Sequence, residues 1–291
     1  MASALASSLS RHPLAWFFGL AYLLTWSQWI PLAVAGRVVD VGPAPSHFPG
    51  LWGPCVAALL LTSATLGRPG VLDLLRRMAR WRVSVRWYAV ALSPLAYGAL
   101  GLLALHATGQ PAPDPQDFGR MGGMATLHPL ALFLALIPLN GFAEDAGWRG
   151  FAQPRLQQDG DVLRASLLLS VPWALWHVPS FFVLASYRGM SPLLFPGFFV
   201  GLACGSIVLA WLLNRSGGSV LMVALYHASL NLASGTVAGR GTLAAIVSTG
   251  VTAHALLLVA LELRARRAGR AGPLRCRASP PGQDPPSRQV P

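Results

Sequence analysis

Lysine is absent from this 291-residue sequence, and only ten side chains are acidic. Charged residues make up 11% of the chain, where a soluble domain carries about 25%, so there is too little charge to clothe a globule in water. Cysteine is scarce too. Cys55, Cys204 and Cys276 lie far apart without any C-x-x-C pairing, which leaves no basis for a disulfide framework or a thiolate metal site. Cys55 and Cys204 fall in apolar runs, where packing is the usual role of a thiol. No internal repeat of the kind that builds the inverted halves of a transporter is visible in the sequence.

With Lys missing, all 22 basic residues are Arg, and the formal net charge is +12. In a soluble chain that balance would point to nucleic acid. Here the arginines sit in loops and a tail between apolar runs, where they report topology, and no nucleic-acid partner is expected. Cations that are all Arg, beside abundant Ala, Gly and Pro, point to a GC-rich genome and so to a bacterial plasma membrane.

What the chain does contain is apolar length. Hydrophobic residues make up 54% and the mean hydropathy is +0.51, and several runs approach the roughly 20 apolar residues that a helix needs to cross a bilayer. The expected fold is an all-α, polytopic transmembrane bundle of eight spans, at about 14–35, 51–66, 87–107, 129–148, 165–185, 193–213, 219–233 and 242–263. Arg68, Arg76, Arg77, Arg80, Arg82 and Arg86 share one loop, whereas the loops assigned outside hold Arg37, Arg120, Arg188 and Arg240. The positive-inside rule then puts both termini in the cytoplasm. A secretory signal ending near Ala33-Val34-Ala35 is the rival reading, but the first apolar run exceeds the 7–15 residues typical of a signal core. The domain plan is a cytoplasmic arm at 1–13, a membrane domain at 14–263 and a disordered basic tail at 264–291, resting on anionic lipid. Gly197, Gly201 and Gly205 form a small-residue stripe on the sixth span, expected to pack against another helix within the bundle.

Against this apolar frame three polar sites stand out. Glu144 and Asp145 precede Arg149 in the fourth span, His177 follows Trp173 in the fifth, and His227 and Asn231 lie one turn apart in the seventh. An ionisable group at the bilayer centre costs about 2.5–3.5 kcal/mol on insertion scales, so such groups face the bundle interior and mark functional sites. Asp145 and Arg149, four apart, can pair, while Glu144 points about 100° away. Taken alone, the trio also reads as an ion-pair cluster at a helix end. His106 and His254 read as packing residues. The three sites reach one depth only if the fourth helix continues past Arg149 towards Gln158, which Gly150 and Pro154 do not favour. If they meet, Glu144 can act as general base on a water shared with His177, and His227 with Asn231 can present N–H donors to a developing oxyanion. That set suits amide hydrolysis.

The order Glu144-Asp145-x-x-x-Arg149, Trp173-x-x-x-His177 and His227-x-x-x-Asn231 resembles the CPBP intramembrane proteases, which include type 2 CAAX prenyl proteases and bacterial proteins tied to bacteriocin processing or self-immunity. Their pattern is Glu-Glu-x-x-x-Arg, Phe-x-x-x-His and His-x-x-x-Asn, and the resemblance spans about 140–234, within a core at about 127–235. It implies an endopeptidase acting on membrane-associated peptide or protein substrates, with Glu144 and His177 activating water, and His227 and Asn231 holding the oxyanion. Asp145, Arg149 and Trp173 are implied as supporting residues, Asp145 standing for Glu and Trp173 for Phe. Many members are labelled metalloproteases, and Glu144, His177 and His227 could bind zinc. The H-E-x-x-H spacing is absent, so metal-free hydrolysis without a cofactor is expected, with zinc as the alternative. Two other functions stay open: a non-catalytic protein that binds a peptide, toxin or partner in the same chamber, and a proton-coupled transporter using the buried acid and histidines.

Overall fold

The computed structural model describes residues 2–191, 193 and 195–276, and within them the architecture is all-α. Each of the eight apolar runs is helical. They are α1 (Pro13–Val34), α2 (Phe48–Met78), α3 (Val85–Ala91 and Ser93–Ala107, bent by 50°), α4 (Pro129–Leu156), α5 (Val162–Trp176, continued by Ser180–Val183 into a candidate span of 22 residues), α6 (Phe195–Arg215), α7 (Val220–Ser234) and α8 (Thr242–Arg267). A short helix, Ala2–Arg11, precedes them.

Six helices among the described residues are long and apolar enough to cross a membrane, or seven if α3 counts as one span. The expected eight, and with it the placing of both termini on one side, rested on counting α7 as a crossing. At 15 residues α7 is only about 22 Å long, and Val220, Met222, Val223 and Tyr226 are fully buried in protein. Hydropathy alone cannot distinguish a helix buried in protein from one bathed in lipid.

α4 holds the acids by departing from regular helix. Two π turns, Ile137–Phe142 and Trp148–Ala152, flank the α-helical turn Ala143–Gly147 that carries Glu144 and Asp145. Pro138 brings no N–H and its ring crowds the preceding turn, and a π turn widens the helix locally and changes the direction of its faces. α4 therefore runs on to Leu156 despite Gly150 and Pro154, and Glu144 lies about 18 Å from that end, at the depth the polar sites require.

Glycines set how closely the neighbours approach. A Cβ on Gly141 would lie 2.7 Å from Ala224 Cβ of α7, and one on Gly147 would lie 2.5 Å from the Pro54 carbonyl oxygen of α2. Both crossings need a bare Cα. Below the site Trp148, Trp176, Phe17 and Phe151 form an aromatic core, with Trp148 and Trp176 edge-to-face at 5.9 Å. Arginines of the basic loop close the end of the bundle: Arg77 donates to the Gly150 carbonyl at 2.9 Å, and Arg80 to that of Gly217 at 2.7 Å.

The tail expected to be disordered from residue 264 is ordered for its first stretch. α8 continues to Arg267, Gly269 turns the chain at φ +64°, and Leu274 is fully buried. The buried Glu262 holds this strap, accepting from the Leu274 N–H at 2.8 Å and from Arg266 at 2.7 Å. The tail beyond, 277–291, lies outside the described residues.

Candidate active site

Asp145 sits at the centre of a buried hydrogen-bonded chain from Arg149 to His227. One oxygen accepts from Arg149 at 3.0 Å, and the other accepts from the His227 Nδ1–H at 2.9 Å. Asp145 and Arg149 have no exposed side-chain surface. The i,i+4 pairing expected on α4 is present, and the same carboxylate also fixes the ring of His227 from α7. Two further Arg149 nitrogens, Nε and Nη2, have no hydrogen-bond partner among the described residues. The guanidinium is instead covered by the Trp173 ring, 3.9 Å away, an arrangement that offsets part of its desolvation.

Glu144 is oriented separately. Its Oε2 accepts from the Trp173 indole N–H at 3.0 Å, and its Oε1 lies 3.9 Å from His227 Nε2. Trp173 thus joins the α4 carboxylate to α5, which a phenylalanine at that position cannot do. His177 ends α5, and its Nδ1–H donates to the Trp173 carbonyl at 2.8 Å. In the neutral ring Nε2 then carries the lone pair. Asn231 is partly buried, and its carboxamide makes no protein hydrogen bond among the described residues.

Glu144, His177, His227 and Asn231 line one cavity of about 500 Å³, together with Trp173. Asp145 and Arg149 stand behind its wall. Three polar residues that sequence reading missed also line it: Asn140, Tyr226 and His47. Asn140 Oδ1, the Tyr226 hydroxyl and His47 Nδ1 are buried without a partner among the described residues. Asn140, one turn before Glu144, and Tyr226, next to His227, were legible only as neighbours. Burial pushes the His47 imidazole down to about 4, so it is neutral at physiological pH. Tyr187 on the same lining is pushed up to about 12, first by burial and then by the charge of Glu144.

Gly197, Gly201 and Gly205 line this cavity as well. A Cβ on Gly197 or Gly201 would meet no atom within 4 Å, and one on Gly205 would only touch the Trp173 ring at 4.0 Å. The stripe opens space instead of seating another helix, which corrects the packing role expected for it. His254 is a packing residue, within 3.3 Å of the Tyr97 hydroxyl and 5.3 Å from the Trp211 ring. Cys55 and Cys204 are buried free thiols. Among the described residues no three His, Cys, Asp or Glu side chains group so as to hold a metal ion. Glu144 Oε2 and the Nδ1 atoms of His177 and His227 are engaged with protein partners, which leaves Glu144 Oε1 and both Nε2 atoms without a hydrogen bond among the described residues, a pattern that metal-bound and metal-free imidazoles share.

The groups on the cavity wall combine a carboxylate, a lone-pair imidazole, a carboxylate-held imidazole and a free carboxamide, a set able to activate water and stabilise an oxyanion. Residues 126–233, which contain all four, match the family described as Rce1-like, type II CAAX prenyl endopeptidase. The chain is similar to CAAX prenyl protease 2 of Methanococcus maripaludis, 26% identical over 188 residues, which is 63% of this chain and 69% of that protein.

Proposed function

Because the chain belongs to the CPBP family of intramembrane proteases and matches its Rce1-like endopeptidases, we propose that it hydrolyses peptide bonds of membrane-associated substrates with a water activated by Glu144. The observation that carries this reading is the convergence of Glu144, His177, His227 and Asn231 from three helices on one buried cavity.

In the proposed reaction Glu144 takes a proton from water as the oxygen bonds to the scissile carbonyl carbon. His177 Nε2 accepts a hydrogen bond from that water and keeps it in line. The oxyanion receives N–H donors from the Asn231 carboxamide and from His227. With Asp145 holding Nδ1–H, the imidazolium state of His227 leaves Nε2–H free to donate. The proton held by Glu144 then passes to the leaving nitrogen as the C–N bond breaks, and the product acid and amine balance the water consumed. No step passes through a metal. The all-Arg cations support a bacterial plasma membrane as the location.

The test is cleavage of membrane-peptide reporters by purified protein in lipid, comparing wild type with Glu144→Gln, with and without a chelator. Cleavage lost in the variant and indifferent to chelator supports the mechanism. Chelator sensitivity reversed by zinc would move it to a metalloprotease, and equal cleavage by Glu144→Gln would overturn it in favour of a binding protein.

A further inference from the structure

The cavity is larger than the hydrolytic groups need, and its lining extends onto α6 and α8. On one side it is walled by Gly197, Gly201 and Gly205 of α6, and on the other by Ala244, Ser248 and Thr252 of α8, against which α6 packs. Bare helix positions usually bring a neighbouring backbone close. Here a Cβ at Gly197 or Gly201 would meet nothing within 4 Å, so the glycines leave room on the α6 side of the cavity.

The same cavity carries polar groups that the protein leaves unused. Asn140 is only 8% exposed, and among the described residues neither end of its carboxamide has a protein partner. The Tyr226 hydroxyl is buried and unpartnered too. They lie where α4 crosses α7, since Gly141, next to Asn140, meets Ala224, two residues before Tyr226. A buried polar group left unsatisfied forfeits the hydrogen bonds it made to water. A hydrocarbon chain in the cavity would leave that cost in place, whereas a peptide brings an N–H and a C=O at every residue and removes it.

We propose that the lane between α6 and α8 binds an extended apolar peptide segment of the substrate, that Asn140 hydrogen-bonds its backbone beside the scissile bond, and that Gly201 sets the size of side chain admitted. This rests on the protease reading above and adds a specificity-determining position to it. Asn140 belongs to substrate binding, and the four hydrolytic groups do the chemistry.

The experiment uses the full chain in lipid nanodiscs with paired reporter peptides identical except for Ala or Leu at one position flanking the scissile bond. Gly201→Leu is expected to lower kcat/KM for the Leu peptide by about tenfold or more while leaving the Ala peptide near wild type, the scale on which a pocket discriminates small differences in apolar bulk. Asn140→Ala is expected to raise KM for both with kcat held, the signature of lost ground-state and transition-state binding alike. Equal losses on both peptides, or none, with an unchanged melting temperature, would overturn the assignment, as would displacement of the peptide by a long-chain alcohol indifferent to Asn140→Ala. If Gly201→Leu does not fold, Gly201→Val is read against the same criteria. The binding arm separates this proposal from the protease reading. A photo-crosslinking Leu peptide should label the Glu144→Gln protein, and the label should fall when Gly201→Leu is added, whether or not wild type cuts any reporter. Unchanged labelling overturns the lane alone.

Discussion

The Trp173 indole N–H donates to Glu144 Oε2 at 3.0 Å. The face of the same ring lies 3.9 Å from the Arg149 guanidinium, so one side chain orients the proposed base and covers the buried cation. Trp173→Phe separates the two tasks, because phenylalanine keeps an aromatic face and loses the donor. A hydrogen bond to a charged group is worth about 1.5–3 kcal/mol, so kcat should fall roughly 10- to 100-fold with KM near wild type and a smaller loss of melting temperature than truncation to alanine brings. Trp173→Ala should lose stability as well. Steady-state rates and thermal melts of the two variants check this, and a Trp173→Phe protein as active as wild type would remove Trp173 from the mechanism.

Asp145 is the acid that the buried cation depends on, since it pairs with Arg149 at 3.0 Å and with His227 at 2.9 Å. Asp145→Asn leaves a guanidinium buried without its counter-charge, a change of about 3–5 kcal/mol. Asp145→Glu keeps the charge and adds one methylene to a packed site, at about 1–3 kcal/mol. Melting in detergent should therefore rank wild type above Asp145→Glu and that above Asp145→Asn. The reverse order of the two variants would mean that shape, and not charge, decides this position.

Two kinds of glycine predict opposite responses to the same substitution. At Gly201 a Cβ meets nothing within 4 Å, so Gly201→Ala should stabilise α6 by about 0.5–1 kcal/mol through helix propensity. At Gly141 the Cβ would lie 2.7 Å from both Ala224 Cβ and its carbonyl oxygen, and Gly141→Ala should lose about 1–3 kcal/mol through overpacking. It should also cut activity by moving α7, which carries His227 and Asn231. Melting temperatures of the pair decide the matter, and a stable Gly141→Ala would deny the close crossing.

Much of this site was legible because its signals are local: an acid, an imidazole or a carboxamide inside an apolar run is conspicuous whatever the fold. The Asp145–Arg149 pair follows from helix spacing alone. The second partner of Asp145, His227, lies 82 residues away, and no spacing rule connects them. Trp173 was legible as a large aromatic but not as a donor to Glu144, because that depends on how α5 faces α4. The depth of Glu144 turned on whether α4 survives Pro138, Gly150 and Pro154, and the π turns that carry it through have no pattern in the residues. The span count turns on α7, and the role of the glycine stripe on Gly201, for one shared reason: whether a face meets protein, lipid or empty cavity is set by other helices.

Asp161 ties the C-terminal strap to the bundle and should make it acid-sensitive. It caps α5 by accepting from the Arg164 N–H at 3.0 Å, accepts from Arg266 at 2.8 Å, and forms a backbone bridge with Arg275. Burial opposes its ionisation, but the Arg164 N–H and the Arg266 guanidinium outweigh it, and the carboxyl is held below its ordinary value. A carboxyl depressed in the folded state contributes stability above its unfolded pKa of about 3.9, and that contribution is lost as pH falls through the folded value. Asp161→Asn keeps a capping oxygen and loses the charge. Hydrogen exchange across residues 270–276 should thus be faster in Asp161→Asn than in wild type at pH 7, after correction for intrinsic rates. The gap should close as the pH is lowered below about 4, when wild type loses the same charge. A gap that persists at low pH, or none at pH 7, would show that the strap is held by Glu262 and the burial of Leu274 without help from Asp161.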